Sequence, residues 1–303
     1  MKTNTSTVAL KALTFRQKQS IAIAVVSVLL MSLGTIAPQI DFSASNITAG
    51  LAVLILLFGV PHGGLDLDLA SRRWPLSTNI QKLLFCCAYL AIVAVAIGFW
   101  FALPILGLVS FMVLSVWHFG ADWTDYVRVA HSRVTAVWVL TIPALLHPQE
   151  FLSILEVLMI RGDIAQMYVT VSAFVGLTSS IFLLMVFAKH FQIHFVLEVF
   201  SLAMILLYSN ILVFFTAYFC LIHSARYLHR YTKHINRDTR AVSQQSSMML
   251  LATIVLGAGL YYATGQIGVS VSIYAWIFIG LFALTVPHMV LVERLFKSES
   301  SDD

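Results

Sequence analysis

Apolar residues in this chain do not alternate with polar ones; they come in long stretches nearly cleared of Asp, Glu, Lys and Arg, separated by short polar segments. Ten such runs stand out, at 20–38, 45–62, 83–103, 105–120, 134–146, 165–188, 195–208, 211–226, 248–264 and 271–292. An apolar stretch of roughly 20 residues spans a bilayer as an α-helix, and continuous runs do not fit the residue-by-residue alternation of a transmembrane β-barrel. The pattern predicts an all-α, polytopic transmembrane bundle of about ten helices, one membrane domain over 1–303 with polar tails at 1–19 and 293–303. The fourth, fifth, seventh and eighth runs are short for a full crossing, so broken or re-entrant segments are expected there. The first run lacks a small-residue cleavage site and reads as a retained helix rather than a removed signal peptide.

Composition excludes a water-soluble alternative. Hydrophobic residues make up 59% of the 303 and charged residues 11%, where a globular domain carries about 25% charged residues. Charge also orients the bundle. With alternate loops assigned to opposite sides, every lysine and arginine except Arg161 falls on one side. Basic residues accumulate in the cytoplasm, so both termini are expected there, in a multi-pass protein of the inner (plasma) membrane. The net charge of +4 is accounted for by the same rule and by anionic headgroups of the lipid bilayer, with no nucleic acid needed. Cys86, Cys87 and Cys220 lie inside apolar runs without CxxC spacing and read as packing residues.

Ten histidines remain to be explained. His131, His147, His190, His194, His229 and His234 sit at loops or helix margins and read as solvated or headgroup-facing. His62, His118, His223 and His288 each lie toward the end of an even-numbered run. Even-numbered helices run from outside to inside, which puts these four imidazoles at one depth near the cytoplasmic side. Polar side chains in a membrane are costly and face the bundle interior. Asp66, Asp68, Asp122, Asp125 and Arg226 lie nearby in sequence. Imidazole is a common metal ligand whose second ring nitrogen is held by a carboxylate. Asp66 and Asp122 stand four residues after His62 and His118, which on a continuing helix places each on its histidine's face. Pro61 and Pro287 directly precede a histidine and free backbone carbonyls.

The segments PHGGLDLD at 61–68, WHFGADW at 117–123, HSARYLHR at 223–230 and TVPHM at 285–289 together resemble the Brp/Blh family of bacterial and archaeal membrane β-carotene 15,15′-dioxygenases. The resemblance runs from the second helix to the last. It implies Fe(2+) held by histidines, O2 and β-carotene as substrates, cleavage of the central double bond into two retinals, and a functional link to a microbial rhodopsin. Carried over by position, it implies His62, His118 and His223 as ligands. The family's third motif commonly has a second histidine four residues after the first, where this chain has Tyr227. Either His288 supplies a fourth nitrogen, or Tyr227 ligates or hydrogen-bonds near the metal, or the site is altered. Asp66, Asp122 and Arg226 are expected behind the ligands.

Two alternatives stay open on sequence alone: a membrane protein holding haem between histidines, and a transporter or proton relay built on intramembrane His and Asp. A rhodopsin needs a lysine inside a helix for its Schiff base, and all seven lysines lie outside the runs or at their margins.

Overall fold

The computed structural model describes residues 13–37, 40–42, 45–74, 76–235 and 273–299. Among the described residues the chain is helical and contains no strand. The elements are α1 (Phe15–Ile36), α2 (Ser45–Gly64), α3 (Asp66–Arg73), α4 (Asn79–Ala102), α5 (Pro104–Phe119), α6 (Val129–Leu146), α7 (Pro148–Val157), α8 (Gly162–Lys189), α9 (Ile193–Tyr208), α10 (Ile211–Ala217), a π-helical segment (Tyr218–Ser224), α11 (Ala225–Ile235) and α12 (Ile273–Glu299). The apolar runs that fall on described residues are helical over most of their length; the run at 248–264 lies outside them, so the expected count of ten helices is not confirmed.

Local chemistry explains the boundaries. Thr14 with Gln17, and Thr78 with Gln81, form reciprocal capping boxes at the starts of α1 and α4. Pro104 and Pro148 open α5 and α7, where their missing N–H costs nothing. Among the described residues, five helical stretches are long and apolar enough to cross a membrane: Phe15–Ile36, Asn79–Ala102, Val129–Leu146, Gly162–Lys189 and Ile211–Lys233. Asn46–Phe58, Pro104–Phe119, Ile193–Tyr208 and Ala275–Leu291 are shorter apolar helices. The fifth run is thus longer than expected, because helix begins at Val129, ahead of the charge that ended the run. The eighth is likewise longer than expected and is not broken: helix continues from Ile211 to Lys233, with π register over Tyr218–Ser224. Outward faces are apolar: Val95 is 72% and Leu184 66% exposed, the surface of a helix bathed in hydrocarbon rather than water.

Neighbouring helices are α6 with α8, α1 with α9, and α4 with α12, while α2 packs against the π segment. At the α6–α8 contact a side chain on Gly176 would bring its Cβ within 2.9 Å of the Thr141 carbonyl oxygen. Only glycine permits that approach. Gly176→Val is expected to push the pair apart and cost about 1–3 kcal/mol, read as a lower midpoint in detergent denaturation; an unchanged midpoint would show that the helices have slack.

Candidate functional site

Three of the four singled-out histidines converge. His118 stands on the last turn of α5, His223 near the end of the π segment, and His288 directly after Pro287 in α12. The ring centroids of His118 and His223 are 4.6 Å apart, those of His118 and His288 5.2 Å, both edge to face. His223 and His288 are buried and His118 half-buried. His62 lies near the end of α2, whose backbone packs against the π segment, α11 and α12; its side chain lies outside the described residues.

Each buried ring is gripped through Nδ1 by a buried carboxylate. His223 Nδ1 is 2.9 Å from Asp122 Oδ2, and His288 Nδ1 is 2.8 Å from Asp66 Oδ1. Each carboxylate also accepts from a tyrosine: Tyr218 donates to Asp122 Oδ2 at 2.8 Å and Tyr89 to Asp66 Oδ2 at 2.8 Å. Tyr231 donates to Asp68 Oδ2 at 2.6 Å. The result is two His–Asp–Tyr relays meeting at the rings. A carboxylate on Nδ1 makes that nitrogen the donor, which leaves Nε2 as the ring nitrogen facing any further partner.

The pairings differ from those the i,i+4 spacing predicted. α5 stops at Phe119 and Gly120 caps it, so Asp122 leaves the face of His118 and reaches across to His223 instead. Asp66 begins a separate short helix, α3, across Leu65, and its described histidine partner is His288. Asp125 turns to Arg16 at the start of α1 rather than to the rings. Tyr227 packs its ring edge-on against His288 at 5.3 Å, buried beside Leu65, Leu69 and Tyr231.

Arg226 sits behind the site. Its Nη1 donates to the Asp122 carbonyl at 2.7 Å, its Nε to Gln19 Oε1 at 2.7 Å, and its Nη2 to both oxygens of Glu198 at 2.6 Å. Ser20, Trp123 and Tyr126 complete the shell of Glu198 at 2.8, 3.1 and 3.2 Å. Arg16 and Arg230 approach the same loop, at the Asp122 carbonyl and at Asp122 Oδ1. Three arginines assigned to one side by charge alone therefore meet around residues 120–128. Burial by itself would raise the Asp122 carboxyl, but His223, Arg230 and Arg226 outweigh it and hold it below the usual carboxylate range.

Among the described residues no three His, Cys, Asp or Glu side chains stand close enough together to hold a metal ion. The donor chemistry nonetheless fits one. Imidazoles steadied at Nδ1 by carboxylates are the usual outer arrangement of a histidine metal site.

A family model for β-carotene 15,15′-dioxygenases matches residues 53–296. The chain belongs to that family. A β-carotene 15,15′-dioxygenase from uncultured marine bacterium 66A03 is 28% identical, over 82% of this chain and 94% of its own length. No solved structure matches. The span shared with the β-carotene 15,15′-dioxygenase family holds all four histidines and both Asp–His pairs, but not Gln19 or Ser20.

The remaining described histidines lie elsewhere in this family member. His147 pairs with the Leu206 carbonyl at 2.8 Å, His229 stacks on Phe15, and His131 faces His190 at 6.1 Å; His234 has its side chain outside the described residues. Lys18, Lys189 and Lys233 are exposed and Lys82 is half-exposed, all at or near helix ends.

Proposed function

We propose that this chain adds dioxygen across the central 15,15′ double bond of β-carotene and releases two all-trans-retinal molecules, using Fe(2+) held by His62, His118, His223 and His288. The double bond breaks and each of its carbons takes one oxygen atom, so no external reductant is required. What most supports this is the convergence of three imidazoles with two of them held at Nδ1 by buried carboxylates, in a chain of the dioxygenase family. When bound, ferrous iron supplies the electron chemistry that lets dioxygen react with a polyene.

The chain's own residues set tautomer, position and dryness. Asp122 and Asp66 keep Nδ1 protonated and Nε2 directed inward. Tyr218 and Tyr89 brace those carboxylates. Phe119 and Phe219 pack on His223 at 4.6 and 5.6 Å and keep water from the rings. β-Carotene has no polar handle, so on this reading shape alone must select the bond, which requires an apolar route from the bilayer to the rings. Tyr227, in the place of a family histidine, packs beside His288, which favours His288 as the fourth nitrogen. On this reading the protein belongs in the inner membrane with both termini cytoplasmic, and its product links it functionally to a microbial rhodopsin, as the family resemblance implies.

Asp66→Asn tests this assignment. It is expected to fold and to weaken Fe(2+) binding by about 10–100-fold, with retinal formation falling in parallel, as read by equilibrium dialysis and product chromatography. Undiminished affinity would remove His288 from the ligand set.

A further inference from the structure

Residues Tyr218–Ser224 close their hydrogen bonds in π rather than α register. One residue inserted into an α-helix rotates everything beyond it by about 100°. His223 is the sixth of the seven π residues, so the direction of its ring depends on that register being kept. A π turn has poorer backbone geometry than the α-helix it interrupts, and carbonyls at the change of register look for other donors.

Gln19 of α1 supplies one. Its Nε2 donates to the Leu221 carbonyl at 2.6 Å and the Ile222 carbonyl at 3.3 Å, the two residues just before His223. The orientation of the amide is fixed from its other end, because Gln19 Oε1 accepts from Arg226 Nε, so the nitrogen must face the carbonyls. Arg226 in turn is fixed by Glu198 and by the backbone of Asp122. Gln19 is 6% exposed, and Arg226 and Glu198 are fully buried. The same guanidinium therefore ties together the carbonyls beneath His223 and the loop that bears its carboxylate partner. Gln19 lies outside the span the family model matches, so nothing in the shared motifs assigns it a role.

We infer that Gln19, oriented by the Arg226–Glu198 ion pair, is a positioning residue that holds the π register and with it the imidazole of His223 in the site. The inference rests on the site being a metal centre. A plain tether between α1 and the bundle would cost stability when removed but leave the metal environment of the folded protein as it was.

Co(II) as a visible-band probe of full-length protein in detergent separates these. Gln19→Glu keeps the partner for Arg226 and loses the donor to the carbonyls; Gln19→Leu loses both. For either variant that keeps native circular dichroism, Co(II) is expected to bind at least about tenfold more weakly, with shifted visible bands. Folded variants with native affinity and bands overturn the inference. Native protein that binds Co(II) no better than His118→Ala sinks the metal centre itself, a distinguishable failure. Should Gln19→Glu not fold, Gln19→Leu decides.

Discussion

Replacing His118 with alanine is expected to lower retinal formation by at least about a hundredfold, more than the loss of an outer partner would, while the protein still accumulates in the membrane. His118 is the ring that touches both of the others, at 4.6 and 5.2 Å between centroids. Asp122 and Asp66 are held by His223 and His288, so both carboxylates keep their partners when His118 is removed. His223→Ala is a poorer probe, because it strips Asp122 of its imidazole and confounds activity with folding. Pigment extracts from β-carotene-accumulating cells, compared at equal protein level, give the result. A variant that makes retinal at the native rate would place the chemistry elsewhere.

Arg226→Met is expected to be strongly destabilising. Arg226 and Glu198 are both fully buried, and the substitution leaves the Glu198 charge, among the described residues, with the neutral donors of Ser20, Trp123 and Tyr126. It also strips donors from Gln19 and the Asp122 carbonyl. Breaking a buried ion pair by removing one partner costs about 3–5 kcal/mol, a large part of a typical net stability. The double variant Arg226→Met with Glu198→Leu should recover much of that, because no lone charge then stays buried. Chemical denaturation of the purified protein checks both; a single variant as stable as the native chain would mean that water reaches the pair.

Hydrophobic patterning made the helices legible, since a bilayer demands long apolar runs. The meeting of His118, His223 and His288 was legible as well, because each lies toward the end of an apolar run of the same parity. Four things were not. The π segment has no compositional signature; its effect is felt only where Gln19 and the rings require it. The carboxylate pairing was misread because i,i+4 reasoning assumes a continuing helix, and Gly120 ends α5 before Asp122. Glu198 was overlooked although its signal was plain: it is an acidic residue inside the apolar run 195–208, which by the cost of intramembrane charge called for a buried cation. Short helices α3 and α7 fell in segments too polar or too brief to register as runs.

The central claim is cleavage of β-carotene at its middle bond. It is tested most directly by producing the chain in cells that accumulate β-carotene, then measuring pigments by chromatography and iron in the purified protein. The expected result is loss of β-carotene with about two retinal molecules gained for each one lost, as symmetric scission by an iron oxygenase requires. Persistence of β-carotene in membranes that hold the iron-loaded protein would contradict it.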